Sequence, residues 1–303
     1  MDSSLYLLNR QVRQMNEGTN SRLTFSVLQW NSLASCYTSD KHYPYAPKEI
    51  LVFDERSKLI AQEIKSYNAD VICLEEVDKN DLEFFKSLYS REEYSFSYIK
   101  KPHTKDGICI MIRKPFEVFD EEMIIHTKEE TNEKQNLVSQ VVVAKQKKDD
   151  LEVCLIVAAC HLKAADFPLV RLHQSRQLIE VIQQKKQKCM DLGYAQENIF
   201  VVVCGDFNAN PQSECAQIFL QHKDLNLKSV FDDLEYTLFQ TYGENAWTSK
   251  DVVDFVMHSD SLVVTKKNGP PDSSKVGEKG LFGAEFPSDH LTLFCELSLC
   301  GKE

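Results

Sequence analysis

Val202-Val203-Cys204-Gly205-Asp206-Phe207-Asn208-Ala209-Asn210-Pro211 joins an apolar run to a short polar loop, a junction that recurs along the chain. Ile199 to Val203 is β-branched and aromatic, the composition of a strand buried on both faces. Gly205 allows the backbone to leave that strand, and Pro211 fixes the chain shortly afterwards. Asp206 and Asn208 are therefore expected at the carboxyl end of a buried strand, where sites of α/β proteins lie. An unpaired buried carboxylate is costly, so packing alone does not account for Asp206. The structural alternative is an ordinary turn closed by an Asx hydrogen bond.

The same junction returns elsewhere. Leu23 to Trp30 mostly alternates and ends at Asn31; Val71 to Leu74 runs into Glu75-Glu76; Val153 to Ala159 reaches Cys160-His161. Asp254 lies within the apolar run Val252 to Met257, and Asp289-His290 stands directly before Leu291 to Leu297. Helical spacing separates these runs at Glu55–Tyr67, Asn80–Ser90, Arg171–Lys188 and Ser213–Leu220, an alternation of β and α. Residues 36–53 read as an irregular aromatic loop with Tyr37, Tyr43 and Tyr45, and residues 266–280 as a loop rich in Lys, Gly, Pro and Ser. Ahead of them, residues 1–22 carry Leu5, Leu8, Val12 and Met15 at helical spacing and are expected to form a cap helix or frayed tail. Arg10 and Arg13 lend this segment a weaker mitochondrial-targeting reading, opposed by Asp2 and Glu17. Residues 23–303 show no internal repeat or linker and are expected to be one catalytic domain.

At 303 residues, with 43% hydrophobic and 27% charged, the chain has ample material for one core and no apolar run long enough to span a membrane. The net charge of −11 disfavours a broad, nonspecific grip on nucleic acid, while leaving room for a local basic site. The 10 cysteines lack framework spacing and any Cys-x-x-Cys pair, so a reducing intracellular compartment, the cytoplasm, is expected. Nothing in the sequence indicates an oligomeric state.

Glu76, Asp206 and Asp254 are carboxylates, Asn31 and Asn208 are amides, and His161 and His290 supply imidazoles. Hard oxygen donors of this kind suit Mg²⁺, or Mn²⁺, rather than zinc. Mg²⁺ sites commonly combine one or two carboxylates with substrate phosphate, so the implied substrate is a phosphate ester.

Gly205–Asn208 and Pro287–His290 together resemble the signatures of the endonuclease/exonuclease/phosphatase superfamily, and the resemblance spans Leu23 to Leu299. It implies a four-layer α/β sandwich of two mixed β-sheets flanked by helices; periodicity alone leaves a doubly wound sheet open. By the same resemblance Glu76 ligates the metal with Asn31 beside it, and Asp289 lies near that site. Asp206 deprotonates the attacking water, Asn208 positions it, Asp254 orients His290, and His161 contacts the phosphoryl oxygens. A non-catalytic binding scaffold is the contrary reading, and the occupancy of every catalytic position argues against it.

Within the superfamily, Leu28–Asn31, Asn68–Leu74, His161–Ala164 and Phe286–His290 are similar to nocturnin and the related carbon-catabolite-repression deadenylases, Angel proteins and 2′,5′-phosphodiesterases. There are departures. Glu75 stands where Gln is usual and is expected to add negative charge beside the metal ligand. Cys160 replaces the usual Thr, Ala165 replaces an Arg of the nocturnin pattern, and Ser249 stands where deadenylases carry a base-stacking Phe. The resemblance implies either removal of the 2′-phosphate from NADP(H) or hydrolysis at an RNA 3′ end, poly(A) included. Lys163 and Lys250, with Lys101 near the site mouth, are the expected cations for a compact phosphorylated ligand, and the aromatic loop is the expected stacking surface for RNA bases.

Overall fold

Val71-Ile72-Cys73-Leu74 shows why this chain folds in layers. Val71 and Cys73 enter one apolar cluster, and Ile72 and Leu74 enter another on the opposite side of the strand. A strand buried on both faces needs cover from both sides. In the computed structural model, which describes residues 7–15, 21–243 and 247–300, that cover is a second sheet on one side and helices on the other.

The strands begin with β1 (Val12–Gln14), β2 (Ser21–Asn31), β3 (Val71–Asp78), β4 (Tyr94–Lys100) and β5 (Asp106–Arg113). Then come β6 (Glu117–Thr127), β7 (Lys134–Lys148), β8 (Leu151–His161), β9 (Ile199–Asp206) and β10 (Leu227–Ser229). The chain continues with β11 (Leu238–Tyr242), β12 (Trp247–Asp251), β13 (Asp254–Ser259), β14 (Val263–Asn268) and β15 (Leu293–Cys300). Helices α1 (Lys48–Leu51), α2 (Phe53–Tyr67), α3 (Leu82–Ser87), α4 (Pro168–Asp191) and α5 (Glu214–Leu220) lie between them.

A 7-stranded sheet in the order β1-β14-β15-β2-β3-β5-β4 faces a 6-stranded sheet in the order β10-β13-β9-β8-β7-β6. Phe25, Val27, Val71 and Cys73 of the first meet Val157, Phe200, Val202 and Cys204 of the second in the central core. Ile60 and Ile64 of α2 and Phe85 of α3 cover the first sheet outside, and Leu178, Ile182 and Phe219 of α4 and α5 cover the second. This is the expected four-layer sandwich. The halves of the chain do not separate cleanly, however: β14 and β15 return to the sheet begun by β2 and β3.

The two parallel pairs position the site. β2 and β3 are joined through α2, and β8 and β9 through α4, as parallel neighbours require a crossover. Their registers set Asn31 beside Glu75 and His161 beside Asp206, while antiparallel β13 sets Asp254 opposite Asp206.

The N-terminal segment departs from expectation. Leu5 lies outside the described residues, but Leu7–Asn9 form a 3-10 turn and β1 pairs antiparallel with β14. Helical spacing loses here because the edge of β14 offers unpaired backbone groups, and an edge strand takes a partner readily. Buried Arg10 fastens the segment: its Nε donates to the carbonyl of Gly269 at 2.8 Å and its Nη1 to that of Thr292. The hairpin β11–β12 is a further element that sequence periodicity did not mark.

Candidate active site

Gly205 does not end its strand. β9 continues through Asp206, and a Cβ at Gly205 would stand 2.0 Å from the carbonyl oxygen of Cys160 on the neighbouring strand. The glycine, at φ 144°, lets β8 and β9 approach closely enough to set His161 against Asp206. Asn208 then closes an Asx turn, its backbone N–H donating to Asp206 Oδ1 at 2.8 Å and its side-chain amide to the carbonyl of Leu162 at 3.1 Å. The turn and the site are the same structure.

Two imidazoles approach Asp206 Oδ2: His161 Nε2 at 3.7 Å and His290 Nε2 at 3.8 Å. Their rear nitrogens face opposite charges. His290 Nδ1 meets Asp254 Oδ2 at 2.9 Å; burial opposes charge on this ring, but Asp254 and then Asp206 outweigh it and hold its pKa well above the ordinary value. His161 Nδ1 meets the Lys101 ammonium at 3.3 Å, and burial, then Lys101, push that ring well below its ordinary value. Burial drives the Asp206 carboxyl up to about 7, with Asp254 adding to the rise and His290 opposing it.

Glu76 occupies a bulge in β3 at φ 56°, which turns its carboxylate into the cleft while Glu75 points between the sheets. Asn31 Nδ2 donates to Glu76 Oε1 at 3.2 Å and to Asp206 Oδ2 at 3.1 Å, and Asn31 Oδ1 accepts the Leu33 N–H at 3.1 Å. Asn31 thus bridges Glu76 and Asp206 through its amide nitrogen, beside the expected metal ligand Glu76. Across the cleft, Asp289 takes the Tyr43 hydroxyl on Oδ2 at 2.8 Å, and its buried Oδ1 has no protein partner. Burial, then Asp106 and Asp289, raise the Glu76 carboxyl against the opposing pull of Lys101. Buried acids that repel one another beside an orphaned oxygen fit a hard divalent cation.

Asp206, Asp254 and His290 also bring potential ligand atoms within 4.8 Å of one another. There Asp254 Oδ2 and His290 Nδ1 already engage one another at 2.9 Å, and Asp254 Oδ1 meets Gln29 Nε2 at 3.2 Å. The Glu76–Asp289 side is the better cation site. Glu75 is fully buried between the sheets rather than open to the cleft, and desolvation first, then neighbouring Cys73 and Asp254, raise its carboxyl well above the ordinary value. Gln29 Nε2 bridges it, at 2.9 Å, to Asp254 Oδ1 at 3.2 Å, a connection that the sequence pattern did not reveal.

The residues from Leu28 to His290, and so every strand end just described, match the model of the Endonuclease/Exonuclease/phosphatase family. The chain belongs to this family. As a member of the Endonuclease/Exonuclease/phosphatase family it is a metal-dependent phosphoric ester hydrolase. It is 29% identical to nocturnin of Xenopus laevis over 304 residues, covering 91% of this chain and 72% of that protein. It is 26% identical to the CCR4-Not complex 3'-5'-exoribonuclease subunit Ccr4 of Schizosaccharomyces pombe, across 93% of this chain and 50% of that one. The human nocturnin catalytic domain, solved with a bound sulfate anion, superposes with a TM-score of 0.71 at 25% identity, covering 97% of this chain and 99% of that one.

In this family member the catalytic groups open into a cavity of about 680 Å³, lined among others by Glu76, His161, Asp206, Asn208, Asp289 and His290. The three predicted lysines part company here. Lys163 lines the cavity, its ammonium 5.0 Å from the centre of the Phe167 ring. Lys101 also lines it, but is buried in an ion pair with Asp106 at 2.6 Å rather than placed at the mouth. Lys250 sits outside, 4.5 Å over the Tyr236 ring and 3.9 Å from Glu235, because its side chain takes the outer face of the β11–β12 hairpin. Two aromatics that sequence reading passed over line the cavity and are open to solvent: Phe167 (47% exposed) and Trp247 (61%). Trp247 lies two positions before Ser249, on a hairpin that carries no regular alternation to mark it. Of the aromatic loop, Tyr43 is buried against Phe282, while half-buried Tyr37 also lines the cavity, its hydroxyl donating to Asp106 Oδ1 at 3.0 Å.

Proposed function

We propose that the chain hydrolyses a phosphate monoester of a nucleotide, the 2′-phosphate of NADP(H) being the favoured substrate, with Mg²⁺ as the metal and Mn²⁺ as a substitute. The carrying observation is the cation count in the cavity. Among the described lining residues Lys101 pairs with Asp106 and Lys128 with Glu133 at 2.6 Å, which leaves Lys163 as the lysine without a carboxylate partner. One such charge suits a compact phosphate, whereas tracking a strand takes several.

Glu76 and Asp289 would hold the cation, which when bound supplies charge neutralisation at the phosphoryl oxygens. Asp206 receives the proton of the attacking water, with Asn31 and the Asn208 N–H fixing its two oxygens. His290, kept charged by Asp254, and the His161 N–H stabilise negative charge as it develops on the phosphoryl group. Lys163 attracts the phosphate, and Phe167 and Trp247 offer faces for the base.

A second reading, 3′-5′ exoribonuclease action on poly(A) or 2′,5′-phosphodiesterase action, is favoured by those same exposed aromatics and by the likeness to Ccr4. NADP⁺, NADPH, oligo(A), mixed RNA and 2′,5′-oligoadenylate assayed at fixed Mg²⁺ and salt decide between them. Phosphate release from NADP(H) that Lys163→Ala erodes is the expected result. Degradation of oligo(A) orders of magnitude faster than NADP(H) dephosphorylation would reject the favoured substrate.

A further inference from the structure

We propose that Lys101 is a positioning residue that fixes the neutral ring of His161 as its Nε2–H tautomer, so that the ring N–H faces the reacting phosphoryl group; this role in turnover rests on the hydrolase reading above. The argument is one of donors and acceptors. Lys101 Nζ stands 2.6 Å from Asp106 Oδ2 and 3.3 Å from His161 Nδ1. An ammonium has three donors and no acceptor. His161 Nδ1 must therefore present its lone pair, and the single hydrogen of the neutral imidazole falls on Nε2.

The ammonium has little freedom to do otherwise. Its side chain is buried, and the Lys101 backbone N–H donates to the Asp106 carbonyl at 2.9 Å. Asp106 is held from its other side by the Tyr37 hydroxyl, 3.0 Å from Oδ1. The connecting loop is pinned by the neighbouring Lys100, whose Nζ donates to the carbonyls of Lys101, Pro102 and Thr104. His161 Nε2, at the far side of the ring, is 3.7 Å from Asp206 Oδ2 and 4.0 Å from Glu76 Oε1, beyond direct hydrogen bonds to either. Its N–H is thus directed into the gap that a phosphoryl oxygen would fill. Lys101 acts through His161 and is not itself a substrate cation.

Long-range ¹H–¹⁵N spectra of the ¹⁵N-histidine-labelled protein read the tautomer directly, with His161→Gln used to assign the ring. The expected wild-type spectrum shows Nδ1 as the unprotonated nitrogen and Nε2 as the protonated one. Nδ1 protonated in the wild type overturns the proposal with no variant needed. Lys101→Met should shift the ring toward the Nδ1–H form and lower kcat about tenfold or more, with KM changing less than about threefold. Lys101→Arg, which keeps a donor facing Nδ1, should recover the wild-type spectrum and most of kcat. An unchanged His161 spectrum in Lys101→Met with KM alone raised would make Lys101 a phosphate ligand and reject the proposal. If Lys101→Met does not fold, Asp106→Asn loosens the ammonium instead, and a spectrum unaffected by it counts against the proposal. The spectrum needs no turnover: an Nε2–H ring in a protein that hydrolyses no phosphate ester supports the tautomer and rejects the hydrolase reading.

Discussion

The Tyr43 hydroxyl donates to Asp289 Oδ2 at 2.8 Å, tying the aromatic loop ahead of α1 to the acid beside His290. Burial first, then Asp289, raise the Tyr43 hydroxyl well above its ordinary pKa, so it remains a donor throughout the working range. Partners of metal-ligating carboxylates tune affinity by about 10–100-fold. Tyr43→Phe is expected to raise the Mg²⁺ concentration for half-maximal activity by roughly that factor, with an unchanged melting profile. A half-saturation equal to wild type would remove Asp289 from the metal site.

Asp254→Asn should leave folding intact and lower kcat by about 10²- to 10⁴-fold, the range for positioned acid–base groups. The amide cannot sustain the charge on His290 that Asp254 supports at 2.9 Å. Steady-state kinetics on NADP(H) and oligo(A) check it, and a loss confined to KM would contradict the role.

Trp247→Ala and Phe167→Ala are expected to raise KM for a nucleotide while sparing kcat, since both rings line the cavity and neither can take part in proton transfer. Base–aromatic stacking is worth about 1–3 kcal/mol, roughly 5- to 150-fold in KM. Equal KM for the base-containing substrate in wild type and both variants would show that the base lies elsewhere.

Gly205→Ala should be severely destabilising, by about 4 kcal/mol or more, because the new Cβ would lie 2.0 Å from the Cys160 carbonyl oxygen. Urea unfolding measures it. A stable Ala variant would mean that β8 and β9 can separate without cost.

His126 provides a pH test at a residue outside the set assigned to the cation and the acid–base chemistry. It is buried between Ser139, 2.7 Å from Nε2, and Gln177, 2.9 Å from Nδ1, and burial lowers its pKa from 6.5 to about 4. Above pH 6.5 the ring is neutral in both folded and unfolded chains and costs nothing. Between about 6.5 and 4 only the unfolded chain takes up the proton, so stability falls with pH, by up to about 3 kcal/mol from this group. His126→Gln should flatten that part of the unfolding free energy against pH. The same slope in variant and wild type would assign the loss to other groups.

The layered fold was legible because its key strands are apolar on consecutive positions, as in Val71–Leu74 and Ile199–Val203, and each ends at a charged or amide residue. The acid–base residues were legible for the same reason. What the sequence did not show was direction. Lys163 and Lys250 read alike as isolated cations, yet strand alternation turns Lys250 onto Tyr236 and away from the cavity. Glu75 and Glu76 are neighbours, and only the bulge at Glu76 determines which enters the cleft. Local conflict hid β1: its helical spacing is real, and tertiary pairing with β14 overrides it.

That pairing has a practical side. Truncation of the chain ahead of β2 would remove Val12–Gln14 from Lys266–Asn268 and Arg10 from the Thr292 carbonyl, two residues past His290. The trimmed enzyme would keep every catalytic side chain while exposing a sticky strand border to other copies of itself. For anyone choosing where to begin a shortened version of this chain, the first strand belongs inside the boundary.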